Sequence, residues 1–273
     1  MKMLICVAEM PVGERVLRFG KLLADATKAE VTVLHVIEGG EDEATGQAIQ
    51  AAASAEMGDT PHSARLEPGP AAKVILQVAR EERFDLIVVG ARHTPSTEQP
   101  VGRVARQVAA SAPVSVLVVK GQRTSLERLL VCSGGRPIAE PVIQTGAALA
   151  EATKAKATLL HVSSAVPSMY TGLGAMEETI EEFLARDSLE AQHLRHGAEV
   201  LQECGVEAAL ELRHGVATDE IMRSAQLRDY DLIVIGASDA ASPLNRLFFG
   251  ELTQRILNDS PVPVLIARND ALN

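Results

Sequence analysis

Short runs of β-branched and aliphatic residues alternate along the chain with stretches in which apolar positions recur every three or four residues. "LIVVG" (86–90) and "VSVLVV" (114–119) are apolar at every position, as strands are when both faces of a sheet are covered. Val74, Ile75, Val78 and Ala79 follow helical spacing, as do Val142, Ala147, Leu149 and Ala150. The pattern is written twice in the same order. "MLICVAE" (3–9) answers "LLVCSGG" (129–135), and "AEVTVLHVI" (29–37) answers "AKATLLHVS" (155–163), pairing His35 with His161. "LEPGPAAKVILQVAREERFDLIVVG" (66–90) answers "LRHGVATDEIMRSAQLRDYDLIVIG" (212–236), pairing Gly69 with Gly215 and Asp85 with Asp231. "VGRVARQVAASAPVSVLVV" (101–119) answers "FGELTQRILNDSPVPVLIA" (249–267). One module of alternating strands and helices therefore occurs twice, over residues 1–121 and 127–273, joined by the polar "KGQRTSLER" (120–128).

Each copy reads as an α/β domain with a doubly wound open sheet of five mostly parallel strands, weakest at the third strand (62–67 and 207–213). Ligands of such sheets settle at the carboxyl ends of the strands, after "ICVAE", "VLHVI" and "LIVVG" and their counterparts. The second copy is longer between His161 and Gly215: a loop with Pro167, Gly172 and Gly174, then a long amphipathic helix expected from Thr179 to Cys204. The first copy has a shorter alanine-rich helix from Glu43 to Met57.

Composition narrows the function classes. No apolar run is long enough to span a bilayer, and "MKMLICVAEMPVGERV" has no secretion-signal organisation, so a cytoplasmic location is expected. The chain carries a net charge of −10, unevenly spread. Residues 1–123 hold 14 basic against 15 acidic side chains and residues 124–273 hold 12 against 21, with no basic patch, which argues against nucleic acid as a partner. Cys6, Cys132 and Cys204 form neither a disulfide framework nor a zinc pattern, and Cys6 and Cys132 read as small core residues.

The opening strand, the "LHV" that closes the second strand, the glycine leading the third helix, "DLIVxG" and the final "APVSVLVV" or "SPVPVLIA" together resemble the universal stress protein family in its tandem form, over almost the whole chain. The resemblance implies an adenine-nucleotide α-hydrolase-like fold for each copy and pairing of the two copies through their last strands, as an intramolecular pseudo-dimer able to dimerise further. Pro113, Pro261 and Pro263 limit how far those strands extend. It also implies candidate cofactor-binding positions: Glu9, Val36, Gly90, Arg92, His93, Gly102 and Arg103 in the first copy, and Val162, Gly236, Ser238 and Gly250 in the second.

Nucleotide-binding members place an aspartate after the first strand, and wrap phosphates with a glycine-rich loop between the fourth strand and the next helix. Both copies depart from this. The aspartate is replaced by Ala8 or Glu9 and by Gly134 and Gly135. His93 stands at the second glycine of the first copy, and Gly102 comes one residue early, followed by Arg103. Asp239 stands there in the second copy, and Gly250 comes one residue late, followed by Glu251. Two carboxylates facing a triphosphate cost on the order of a kcal/mol each, whereas Arg92, His93 and Arg103 offer positive charge. An anion such as ATP or AMP is thus expected in the first copy, if in either.

Other motifs weigh less. "GASDA" around Ser238 approaches a nucleophile elbow but ends in Ala240. His193 and His196 share a helical face, with Glu190 and Glu199 near, and read as surface histidines before metal ligands. Glu177, Glu178, Glu181 and Glu182 sit near a helix start, which they suit electrostatically. His35 and His161, repeated at one place, suggest a shared hydrogen bond to a neighbouring loop. Met169, Tyr170, Leu173 and Met176 form an apolar cluster suited to capping a crevice or meeting a partner. The favoured expectation is a non-catalytic binding and regulatory module of the stress response. The alternatives are a weak nucleotide hydrolase using the first copy, and a ligand-free partner-docking protein using the 165–176 loop.

Overall fold

A computed structural model describes residues 1–8, 10, 12–91, 101–134, 140–163, 178–237 and 250–268. The first module runs β1 (Lys2–Val7), α1 (Val12–Thr27), β2 (Glu30–Ile37), α2 (Glu43–Met57), β3 (His62–Pro68), α3 (Ala71–Glu81), β4 (Leu86–Gly90), α4 (Arg103–Ser111) and β5 (Ser115–Val119). The second runs β6 (Arg128–Ser133), α5 (Glu140–Thr153), β7 (Lys156–Ser163), α6 (Ile180–Leu184), α7 (Leu189–Glu203), β8 (Ala208–His214), α8 (Ala217–Leu227), β9 (Leu232–Gly236), α9 (Glu251–Asp259) and β10 (Val264–Ala267). All ten strands join one sheet in the order β3-β2-β1-β4-β5-β10-β9-β6-β7-β8, a palindrome of the two modules. Every pairing within a module is parallel. Among the described residues only the seam is antiparallel, with Val118 opposite Val264, Leu117 opposite Leu265 and Val116 opposite Ile266.

That seam is core. All six of its side chains are at most 1% exposed, and burying each contributes roughly 1.5–3 kcal/mol relative to exposure, so the modules fold against one another. Pro261 and Pro263, which lack ladder N–H groups, delay the start of β10 to Val264. Gly121, in the left-handed region at φ 69°, follows the seam where a Cβ would collide with the Pro261 carbonyl. Cross-seam hydrogen bonds repeat the symmetry. Lys120 Nζ donates to the Leu257 and Asn258 carbonyls at the end of α9 (2.7 and 3.0 Å). Its counterpart Arg268 donates to the Ala112 and Ala109 carbonyls at the end of α4 (3.0 and 2.5 Å).

The aspartate of the repeated "DLIVxG" is a clamp at the amino ends of the strands, remote from the expected site. Asp85 Oδ2 accepts from the Lys2 N–H (2.6 Å), and Asp231 Oδ2 from those of Glu127 and Arg128 (2.8 and 3.0 Å). The preceding aromatics are also matched, with Lys2 over the Phe84 ring and Arg128 over that of Tyr230.

One matched cluster is inverted. On the outer strand of the first module, Arg65 bonds Glu67 (2.8 Å) and Glu82. At the corresponding places in the second, Glu211 accepts from Arg213 (2.6 Å) and pairs with Arg228 (3.1 Å). All three charges have changed sign together.

Two sequence expectations need correction. The helix expected over 179–204 is broken into α6 and α7. Ser188 starts the second piece by accepting from the Ala191 N–H at 3.2 Å, a cap that competes with continuing the helix. Thr179 and Glu182 close a reciprocal capping box on the first. His193, read as a surface residue, is 8% exposed. The Glu43–Met57 helix stands as expected, capped by Asp42. Among the described residues, no helix is long and apolar enough to cross a membrane.

Candidate functional site

Alternation along β2 sends neighbouring side chains to opposite faces of the sheet. Val36 shares a core cluster with Ala72, Ile75, Val101 and Ala105, on the side of α3 and α4. His35 falls on the other face. At the end of β4, after Gly90, the Ala91 N–H bonds the Val119 carbonyl (2.8 Å), and the Gly102 N–H bonds the Ala91 carbonyl (2.7 Å). This short path holds the start of α4 against the carboxyl end of the sheet. Gly90, Gly102 and Arg103 thus lie together at the carboxyl end of the sheet, on the face to which Val36 turns. In the second module Val162 packs with Ala237 and Leu252 on the corresponding cluster, while Gly236 ends β9 and Gly250 precedes α9. Glu9, Arg92, His93 and Ser238 lie outside the described residues, as do Asp239 and the 165–176 cluster.

The two helices that open on these crevices carry opposite chemistry. Gly102 and Gly250 are both N-caps, and neither helix has a side-chain cap. The first-turn N–H groups and the helix dipole give each start a partial positive charge. α4 begins with exposed Arg103 and has no acid in its first turn. α9 begins with exposed Glu251, whose carboxylate offsets the positive end of its own helix.

The paired histidines share a hydrogen bond, as their repetition suggested, but it runs to the end of an adjacent strand rather than to a neighbouring loop. His35 Nδ1 donates to the Val7 carbonyl (2.9 Å), the last residue of β1, and Nε2 lies 3.0 Å from Glu41 Oε1. His161 Nδ1 donates to the Ser133 carbonyl (3.1 Å), the last residue of β6. Each ties the ends of two adjacent parallel strands. In place of Glu41, the second module sets the Phe183 ring against His161, with centroids 5.2 Å apart. Phe183 is 3% exposed, and His214 Nε2 donates to the Glu178 carbonyl (3.3 Å). Residues 178–184 thus lie over the ends of β7 and β8. Phe183 was not singled out from the sequence, although the Thr179 and Glu182 capping-box signature marks the helix that carries it.

Two of the three cysteines are buried in the core. Burial pushes the Cys6 and Cys132 thiols well above their ordinary range. His196 lies beside Glu140 (3.5 Å) and Glu199 (3.9 Å), while His193 turns inward. Among the described residues no three His, Cys, Asp or Glu side chains gather to hold a metal ion. A groove of about 460 Å³ between the ends of α1 and α5, flanked by Lys28 and Lys154, lies away from both crevices.

Burial holds the His193 imidazole below the ordinary 6.5; Glu140 partly offsets this, and His196 and His161 add to it. Its Nε2 has no hydrogen-bond partner among the described residues. The unfolded chain therefore takes up a proton that the folded chain resists. The stabilisation associated with neutral His193 is complete above about pH 6.5 and is lost as pH falls through the lower folded value. Urea midpoints at pH 7.5 and 5.5 should differ less for His193→Phe than for the wild type; an identical difference in both would contradict this assignment.

Comparison with known proteins agrees with the duplicated geometry. Universal stress protein MJ0531 of Methanocaldococcus jannaschii is 22% identical over 151 residues, 55% of this chain and 87% of that protein. Universal stress protein YxiE of Bacillus subtilis is 25% identical over 148 residues, 52% of this chain and 98% of that protein. The crystal structure of a universal stress protein from Archaeoglobus fulgidus superposes with a TM-score of 0.70 at 17% identity, covering 98% of each chain. Each of the two sequence relatives thus matches about one module's length, and the Archaeoglobus structure matches both modules. The family model for universal stress proteins matches twice, over residues 1–120 and 125–268. The chain belongs to the universal stress protein family, and carries two of its modules in tandem.

Proposed function

We propose that this protein is a cytoplasmic stress-response binding and regulatory module in which the first domain takes an anion, a nucleotide such as AMP or ATP, and the second does not. The observation that carries this reading is the contrast between Arg103 and Glu251 at the first position of matching helices. Helix starts of this kind favour phosphate through their N–H groups and dipole. Arg103 adds a donor and a full charge, whereas Glu251 occupies the favourable potential itself and repels a second anion.

Calorimetric titration with AMP and ATP tests this. One site per chain is expected. Arg103→Ala should weaken it about five- to tenfold, a loss of roughly 1–1.4 kcal/mol for one charge-assisted contact. Glu251→Ala should leave that site unchanged. Binding indifferent to Arg103, or confined to the second domain, would overturn the proposal. Phosphate release from ATP that disappears in Arg103→Ala would replace the binding module with an enzyme.

A further inference from the structure

The second domain touches the first beside the candidate anion site, through a side chain whose counterpart in the first domain is an alanine. Val101, immediately before the glycine that caps α4, is 2% exposed, so both of its peptide groups require partners. Its carbonyl accepts from Arg106 Nη2 of its own domain (2.7 Å). Its N–H donates to Asn258 Oδ1, on the last turn of α9 in the other domain (3.1 Å). The bonds from Lys120 to the Leu257 and Asn258 carbonyls fix that turn against the first domain. Under the symmetry that relates Gly102 to Gly250 and Lys120 to Arg268, Asn258 corresponds to Ala110, whose methyl group cannot return the bond. The strand register and the two cationic helix contacts of the seam are reciprocal, whereas this bond, like that from the Arg268 N–H to Ser115 Oγ (3.1 Å), is set by a side chain the other copy lacks.

We infer that Asn258 is a positioning residue through which the second domain controls the anion site of the first. The inference rests on the reading that the first domain takes the anion. With Val101 held, Gly102 and Arg103 are fixed relative to the end of β4, and the first-turn N–H groups of α4 keep one direction. With the carboxamide removed, the Val101 N–H loses its partner on the second domain, and the start of α4 loses that anchor. Coupling of this kind is reciprocal: an anion bound at α4 strengthens the hold on α9 by the same factor by which Asn258 strengthens anion binding.

The test uses the full chain with Asn258→Ala and Asn258→Asp. Asn258 is exposed on α9, so neither substitution disturbs the core. Amide hydrogen exchange without ligand should show Val101 exchanging about tenfold faster in Asn258→Ala, the loss of one hydrogen bond. Protection should be retained in Asn258→Asp, which keeps an acceptor. AMP affinity should fall about five- to tenfold in Asn258→Ala and recover in Asn258→Asp, and AMP should slow Val101 exchange in the wild type and in Asn258→Asp but not in Asn258→Ala. Unchanged exchange at Val101 in Asn258→Ala would overturn the bridge. Faster exchange with unchanged AMP affinity would reduce Asn258 to a structural contact and overturn the positioning role. Failure of the wild type to bind AMP or ATP would remove the first-domain anion reading and the coupling together, while the exchange result would still report on the bridge itself.

Discussion

Glu211→Arg is expected to destabilise the protein by about 3–5 kcal/mol, the range for a buried ion pair broken from one side. Glu211 is 7% exposed on β8, and it holds both Arg213 and Arg228. An arginine there places three guanidinium groups together, the central one at a buried position. The same chain indicates the rescue. In the first module all three charges are reversed: Arg65 stands at the centre with Glu67 and Glu82 around it. Glu211→Arg combined with Arg213→Glu and Arg228→Glu should therefore recover most of the lost stability. Recovery should fall short of complete. The Arg65 side chain is 28% exposed against 8% for Glu211, so the rebuilt network must bury a guanidinium that the first module leaves partly in water. For that reason Arg65→Glu should cost only about 1 kcal/mol, near the scale of exposed pairs. Urea unfolding of the five proteins (wild type, the two single reversals, the triple reversal and Arg213→Glu with Arg228→Glu) isolates the coupling. A triple variant no more stable than Glu211→Arg would mean that strand geometry, rather than sign pairing, sets the identity of these residues.

The inversion bears on what a sequence can reveal. Its six charges are visible once the copies are aligned, but whether they touch depends on how β3 and β8 lie under the ends of α3 and α8. The inner strands were legible because parallel strands covered on both sides are largely apolar, the outer β3 and β8 were faint because they are polar and partly exposed, and pairing through the last strands followed from the family resemblance. The break between α6 and α7 was not legible from periodicity. Phe183, Ala191 and Leu194 sustain apolar spacing across it, and the Ser188 cap is a local hydrogen bond that leaves that spacing intact. His193 was misplaced because Gln192 and Arg195 beside it are polar, although Ala191, Leu194 and Gly197 already mark the buried face. At the candidate site, Gly102 and Arg103 could be found by counting from Gly90, since a strand end and a helix start leave few arrangements. Asn258 could not be found in this way. Its partner is 157 residues distant in sequence, and the two meet only because the domains dock.

The other large effect is expected at the seam, where Arg268→Ala should lower stability by about 2–3 kcal/mol. Two charge-assisted hydrogen bonds reach the Ala109 and Ala112 carbonyls at the end of α4. Each is worth roughly 1.5–3 kcal/mol, and the cation also suits the negative end of the helix. The sum is reduced by the cost of burying the charge, which lowers the guanidinium to about 10, and Nε has no partner. The net effect should therefore fall below the sum of two such bonds. Lys120 occupies the symmetric place and serves α9 with an ammonium group. Arg268→Lys should accordingly stay within about 1 kcal/mol of the wild type, since a point charge at this position is sufficient in the other half of the molecule. Because Arg268 grips the end of α4 opposite to Arg103 and Val101, protection of the Val101 amide should survive in Arg268→Ala even as the global unfolding free energy falls. Equal stability of Arg268→Ala and the wild type would show that water serves those carbonyls as well as the arginine does. Loss of Val101 protection would show that α4 responds to the second domain as a rigid rod, gripped at both ends.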